Sequence, residues 1–422
     1  MFRFIYCTFF ILAIPMVLVN LYLKSRQYPN YRKRWKEHFG IFKSPKFDKS
    51  IWVHAVSVGE SLAAVPIIKQ LLVDYPEYKI VVTTTTPTGA ERINAVLGDQ
   101  VHHFYSPYDL PWVVIRYIRK INPSLTIIME TELWPNFIFY SHKQNIPVVV
   151  VNARLSAKSA RKYAQLTTPT NRRWLVEPIT HIACQNVADA ERFKMLGTDD
   201  NKLSVTGSIK FDLQLPANIG TKTQEMFGDW GSDSFVWVAG STHVGEDEVI
   251  LQAHRYLIDA GVNAKLIIVP RHPERFDSVS ELIVQRGFSL HRRTESISNL
   301  DNQEVYMCDT MGELMYCYKK ADVAFVAGSL VERGGHNPLE PAALKKPVLS
   351  GPHTFNFADV YQNMIDAGAA KIVEPNELAK VLEEFSENSG IGIKMGHAGI
   401  KVVEANRGAV SKTINLLRKY ID

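Results

Sequence analysis

Short runs of apolar residues alternate with helical patterns along most of this chain. In the first half the runs Ile51–Val56, Ile80–Thr85, Leu125–Glu130, Val148–Asn152 and His181–Gln185 are almost continuously apolar. Such runs suit strands covered on both faces, which points to a parallel sheet. Stretches between them, such as Leu62–Asp74 and Trp134–Lys143, carry helical spacing. The second half repeats the plan, with strands expected at Phe235–Gly240, Lys265–Pro270, Glu304–Cys308, Val323–Ala327 and Pro347–Leu349. Between the halves, DLQLPANIGTKTQEMFGDWGSDS is polar and rich in glycine and reads as a linker. Two doubly wound α/β halves facing each other would gather the loops after their strands around one cleft.

One apolar run breaks this alternation. Phe4–Leu23 carries no charge and is long enough to cross a bilayer as a helix. No small-x-small cleavage site follows it, which favours an uncleaved anchor over a removed signal peptide. Lys24, Arg26, Arg32, Lys33, Arg34 and Lys36 follow the run, and only Arg3 precedes it. That bias keeps the bulk of the chain on the cytoplasmic side. Tyr28, Tyr31, Trp35 and Phe39 interleave with the cations. The segment suits an anionic lipid surface; a solvated basic linker is the plainer reading.

Size and charge narrow the picture. A chain of 422 residues exceeds one ordinary core and implies two domains. The net charge of +5 is uneven: residues 1–49 hold ten Lys/Arg and two Asp/Glu, which leaves the remainder at −3. A body of that sign makes nucleic acid an unsuitable partner. Cys7, Cys184, Cys308 and Cys317 are scattered, without metal-ligand spacing, as reduced thiols would be.

The unusual residues sit just after the expected strands. Gly59-Glu60 closes the loop after the first; Glu60 is either a carboxylate favouring a helix dipole or a general base. Glu130-Thr131-Glu132 pairs two acids that would share one face of an extended strand, so a cation or a lysine such as Lys210 must offset them. Pro270 and Arg271 end another strand, and an arginine there suits phosphate or carboxylate. Gly312 and Glu313 open a helix behind Asp309 and Thr310. In SLVERGGHNPLEP, Asn337, Pro338, Leu339 and Glu340 spell a capping box. The preceding Gly334-Gly335 would let backbone approach an anion closely. Neither a P-loop nor a GxGxxG pattern is present.

Taken in order, HAVSVGE, ETELWPN, NARLS, GSIKFD, PRHPERF, DTMGEL and GSLVERGGHNPLEP resemble the 3-deoxy-D-manno-octulosonic acid (Kdo) transferases of lipopolysaccharide assembly. The resemblance implies an α/β GT-B glycosyltransferase: two facing Rossmann-like domains behind an N-terminal membrane-anchor helix. It implies transfer of Kdo from CMP-Kdo to the lipid A precursor (lipid IVA), with inversion at the anomeric centre. No metal would sit on the donor phosphate and no cofactor would be needed. Glu60 would be the general base, and Glu130 and Lys210 would stabilise the transition state. Pro270, Arg271, Met311 to Glu313 and Asn337 to Glu340 would bind the CMP moiety, with Glu340 on the ribose. Residues 1–25 are then expected as the anchor in inner-membrane lipid, and 26–212 as an acceptor domain on the cytoplasmic side. Residues 213–231 would be the linker and 232–422 the donor domain, whose last helix can cross back. A nucleotide-sugar epimerase, a tethered binding protein and a diphosphate-donor transferase are the competing readings.

Overall fold

The computed structural model describes residues 2–27, 33–43, 45–166, 171–296, 300 and 302–422. It divides into two compact units, Met1–Asp212 with Arg407–Asp422, and Leu213–Asn406. Each contains one seven-stranded sheet.

In unit 1 the strands are β1 (Ser50–His54), β2 (Lys79–Thr84), β3 (His102–Tyr105), β4 (Pro123–Met129), β5 (Val148–Ala153), β6 (His181–Cys184) and β7 (Leu203–Val205). Their order across the sheet is β3-β2-β1-β4-β5-β6-β7, and every pairing is parallel. Parallel strands need crossover helices on both faces, which buries the sheet twice over. Ile51 and Val53 accordingly join one core with Ile67, Ile68 and Leu71, while Trp52 points into another with Tyr117 and Phe137. Strand order reverses between β1 and β4, and the crevice at such a switch point is where open α/β sheets take ligands.

In unit 2 the strands are β8 (Phe235–Thr242), β9 (Ala264–Pro270), β10 (Leu290–Arg292), β11 (Val305–Met307), β12 (Val323–Val326), β13 (Val348–Ser350) and β14 (Ala370–Ile372). Their order is β10-β11-β9-β8-β12-β13-β14, again parallel throughout. The switch point lies between β8 and β12. Each expected strand is present within two residues at either end.

One expectation about the connections changes. The stretch 213–231 is no free linker, because Ile219–Phe227 is a helix. Its Met226 and Phe227, with Trp230, are buried against Ile267, Tyr306 and Tyr318 in a core of unit 2. Polar composition hid an apolar face made by three side chains. The chain then leaves unit 2 at its end, and the helix Ala409–Ile421 packs Ile414 and Leu417 into the core that holds Ile51 and Ile68. Asp212 fastens that return: its two carboxylate oxygens accept the backbone N–H groups of Gly408 and Val410, each at 2.5 Å.

The N-terminal helix spans Phe2–Gln27. Phe4–Leu23 within it is long and apolar enough to cross a membrane, with a mean hydropathy of 2.3. Phe4, Phe9, Leu12 and Met16 are exposed, whereas Phe10 and Ile14 rest on a unit 1 core. Tyr6 donates to Asp109 Oδ2 at 2.9 Å, so the helix also has a polar tie to the unit. Of the basic, aromatic segment after it, residues 28–32 lie outside the described residues. Arg34 is engaged by protein, with Glu37 Oε1 at 2.7 Å and the carbonyl of His103 at 2.6 Å.

Replacing Asp212 by Ala should weaken the start of the returning helix by ~1 kcal/mol, as loss of a capping carboxylate does. Amide exchange should then accelerate across 409–421 before it does across the helix Val58–Asp74.

Candidate active site

The first group of predicted residues gathers at the unit 1 switch point. β1 runs out at His54, and Ser57 caps the helix Val58–Asp74 by accepting the N–H of Glu60 at 3.2 Å. Glu60 reaches back in turn. Its Oε2 accepts the Val56 N–H at 2.8 Å and its Oε1 the Ser57 N–H at 3.3 Å, which completes a capping box. The carboxyl is only 6% exposed. Burial pushes its pKa up to about 7 against the pull of those N–H groups, and the negative charges of Glu132 and Glu130 add to the rise. A carboxyl half-ionised at neutral pH is suited to take and return a proton.

Glu130 follows β4 in left-handed conformation, φ +55°, with its N–H on the Val151 carbonyl at 3.0 Å. The chain turns there. Glu130 and Glu132 therefore do not stand side by side on an extended strand, as their spacing suggested. Glu132 accepts the Trp134 indole N–H at 2.7 Å instead. Burial raises the Glu130 pKa, and the positive charges of Lys210 and Arg154 oppose that rise. Lys210 sits in the short turn Ile209–Phe211, held where the Ile209 N–H meets Asn152 Oδ1 at 3.1 Å. Asn152 itself is buried, left-handed at φ +53°, and lies at the irregularity in β5. Glu60, Glu130 and Lys210 thus share one electrostatic neighbourhood.

The second group lies at the strand ends of unit 2. Pro270 closes β9, and the Arg271 N–H continues the ladder to the Thr242 carbonyl at 3.0 Å. The charge of Arg271 is felt by Glu340, His243 and His336, so these four converge. The expected capping box at Asn337–Glu340 does not form. The helix begins one residue late, at Leu339, and Asn337 Oδ1 takes the Leu339 N–H at 3.1 Å. Glu340 is thereby released from capping; burial raises its pKa, which Asn337 and Arg271 counteract. The two glycines also differ from expectation. Gly334 and Gly335 have φ of +90° and +71°, and a Cβ on Gly334 would lie 2.5 Å from Phe355 and Asn356. Their close approach is to the protein's own 353–356 segment, and the Gly335 N–H is spent on the Gly328 carbonyl at 2.7 Å.

Met311–Glu313 stands on separate contacts. Glu313 is paired with Arg293, Oε2 to Nε at 3.0 Å and Oε1 to Nη2 at 3.3 Å, and accepts the Thr310 hydroxyl at 2.5 Å. Asp309 takes Arg292 Nε at 2.8 Å and the Thr294 N–H at 3.0 Å. These bonds fix the loop and leave Met311 and Gly312 exposed at its tip, with Gly312 at φ +85°.

A family model described as 3-deoxy-D-manno-octulosonic-acid transferase (kdotransferase) matches residues 33–213, and one for glycosyl transferases group 1 matches residues 236–403. The 3-deoxy-D-manno-octulosonic acid transferase of Haemophilus influenzae is 41% identical over 100% of this chain and 99% of its own. The enzyme of the same name from Bordetella pertussis is 35% identical over 88% of this chain and 87% of its own. The chain belongs to the 3-deoxy-D-manno-octulosonic acid transferase family. Among solved structures, MurG of Acinetobacter baumannii has a TM-score of 0.55 at 13% identity, covering 89% of this chain and all of its own. The MnaA–UDP structure from S. aureus has the same score at 16% identity, covering 88% and 97%. These two likenesses concern the fold, which is GT-B. The chain is a glycosyltransferase.

Three residues that hold this Kdo transferase's strand-end loops in place were not singled out in the sequence. Glu246 is fully buried after β8. Its Oε2 accepts the N–H groups of His243 at 2.9 Å and Gly328 at 2.8 Å; its Oε1 accepts those of Ser329 at 3.0 Å and Leu330 at 2.9 Å. One carboxylate therefore clamps the loops after β8 and β12 together. Asn152 does comparable work for Lys210, and the His243 ring reaches His336, Nε2 to Nε2 at 2.9 Å. GSTHVGEDE and NARLS advertise themselves as loops, but nothing in their spacing says which side chain turns inward.

Glu246→Gln should place an amide N–H against two backbone donors and cost ~1–3 kcal/mol. Faster exchange at Gly328–Leu330, with the sheet amides unchanged, would register it; protection equal to wild type would show that the clamp is dispensable. Glu60 carries a sign for stability as well. Its folded pKa of about 7 lies above the ordinary 4.5. Its contribution is therefore full below that ordinary value and is lost as pH rises through about 7. Glu60→Gln should be less sensitive than wild type to a change from pH 5 to pH 8 in denaturant titrations.

Proposed function

We propose that this enzyme transfers Kdo from CMP-Kdo to a lipid A precursor, lipid IVA, in lipopolysaccharide assembly, with inversion at the anomeric carbon. The observation that carries the mechanism is Glu60: a buried carboxyl, held by two backbone N–H groups, with a pKa of about 7. In its ionised form Glu60 takes the proton of the acceptor hydroxyl. The hydroxyl oxygen bonds to the anomeric carbon as the bond from that carbon to the CMP phosphate breaks, and CMP departs with the electron pair. Glu130 faces the positive character that develops on the sugar, and Lys210 the negative charge that develops on the leaving phosphate. Arg271 grips the nucleotide phosphate, Glu340 a ribose hydroxyl, and the exposed Met311–Gly312 tip the base. With Lys210 and Arg271 meeting the leaving charge, the route needs no metal on the donor phosphate and no cofactor.

The N-terminal helix gives the acceptor its setting. A span of 20 apolar residues, followed by six Lys/Arg within residues 24–36, anchors the enzyme in the inner membrane with its catalytic units in the cytoplasm. A lipid acceptor in that leaflet reaches the enzyme without leaving the bilayer. The −3 charge of the chain beyond residue 49 favours no nucleic acid partner.

Purified enzyme, supplied with CMP-Kdo generated in situ and a tetraacylated lipid A precursor, should add Kdo detectably by mass spectrometry. Glu60→Gln should lower the rate by ~10²–10⁴-fold while retaining its fold. The wild-type rate should climb with pH through about 7, since only ionised Glu60 accepts a proton. A rate indifferent to Glu60→Gln, or flat across that range, would remove Glu60 from the chemistry.

A further inference from the structure

His243 and His336 meet in a way that neither strand ladder nor core packing requires. His243 leaves the end of β8 and His336 lies in the loop after β12, the two strands flanking the unit 2 switch point. Their Nε2 atoms are 2.9 Å apart and their rings lie nearly parallel, 7° between planes. Both imidazoles are only partly buried, so a ligand can reach them. Their placement is firmly set. The Glu246 carboxylate holds the His243 N–H, and the ring of His336 rests on Gly328, where a Cβ would come within 2.8 Å of it.

An N–H···N bond between imidazoles needs one donor and one lone pair, so at most one proton occupies the space between these atoms. The surroundings are cationic. Arg271 acts on both rings, and Arg275, Arg333 and His272 act on His243, the His272 ring lying 5.3 Å from it. The nearby acids are otherwise engaged: Glu246 by four N–H groups, Asp247 by Arg275 and Thr242, and Glu340 by Asn337 and the charge of Arg271. Burial and these cations hold both histidines down at about 4, hence neutral near pH 7 without ligand. An anion with two oxygens inverts the balance, because each Nε2 can then donate outward.

We propose that His243 and His336 together bind the carboxylate of the transferred octulosonic acid, each donating its Nε2–H to one carboxylate oxygen. This rests on the Kdo-donor reading above. It divides the two anionic groups of the donor between two places: the nucleotide phosphate goes to Arg271 and the sugar carboxylate to the histidine pair. It also gives the enzyme a means of rejecting neutral sugars, which would leave the pair with nothing to hold. The step is a binding step with one proton taken up from solvent: the ring that accepted the bridging hydrogen bond keeps its Nδ1–H and gains a proton at Nε2, becoming an imidazolium paired with the carboxylate. Donor affinity should therefore fall as pH rises, while the affinity for CMP, which lacks the carboxylate, should not follow it.

The test uses the full-length enzyme in detergent with His243→Gln and His336→Gln, one variant on each loop. CMP affinity is read by calorimetry, and KM and kcat for CMP-Kdo by product formation. The expected result is a KM for CMP-Kdo raised about tenfold or more in each variant, the loss of one charge-assisted contact. kcat should move less than KM and CMP affinity should change by less than about twofold, which also certifies the fold. Wild-type KM should rise between pH 6 and pH 8, and that slope should flatten in both variants. An unchanged KM, or a pH slope that survives in both, overturns the proposal. A loss of CMP affinity equal to the loss in KM also overturns it, because the pair would then hold the phosphate. Wild-type enzyme that transfers no Kdo at all would instead sink the donor reading on which the proposal rests.

Discussion

A parallel strand covered by helices on both faces has no place for charge along its length. Along the central strands charge is pushed to the ends, and the loops after the carboxyl ends have room for it. Both sheets of this transferase obey that constraint. β1 delivers Glu60, β4 Glu130, β8 His243 and Glu246, β9 Arg271, β12 the segment leading to His336 and Glu340. The chemistry is assembled by strand order more than by sequence proximity: β1 and β4, or β8 and β12, are far apart in the chain and adjacent in the sheet.

Within those loops, backbone N–H groups are the main tool for handling carboxylates, and they serve two purposes. At Glu246 four of them surround one side chain, and the product is a fixed pair of loops. At Glu60 there are two, too few to offset burial and the neighbouring acids, and the product is a carboxyl that titrates near neutrality. The difference lies in how many donors the local chain can aim, since both side chains are removed from solvent.

Central strands could be read from the sequence because burial on both faces writes an unbroken apolar run. β3, β7, β10 and β14 could not. They are edge or near-edge strands of three or four residues, such as His102–Tyr105 and Leu290–Arg292, with polar side chains that no periodicity marks. Capping logic worked as chemistry and failed as address. A box forms at Ser57–Glu60, where the sequence marked Glu60 only as a carboxylate favouring a helix dipole or a base and the helix was expected from Leu62. It fails at Asn337–Glu340, where the helix starts one residue late. The motif resemblance named Glu60, Glu130, Lys210 and Arg271, which do sit with charged neighbours at strand ends. Glu246 and Asn152 stayed hidden because their partners are backbone groups from distant strands, a relation with no spacing to detect.

The clasp at Asp212 bears on how the protein is made. The chain leaves unit 1 at Asp212 and returns at Arg407, and the same aspartate receives the returning backbone at Gly408 and Val410. Unit 2 is thus an insertion whose two ends are pinned at one point. On the ribosome, the first unit is synthesised early but lacks Ile414 and Leu417 from its core until residues 409–421 appear. At ordinary translation rates of roughly 5–20 residues per second, that wait is on the order of tens of seconds. For that interval an unfinished apolar surface beside Ile51 and Ile68 stays open to chaperones, and a nascent chain stalled anywhere inside the second unit would leave it so.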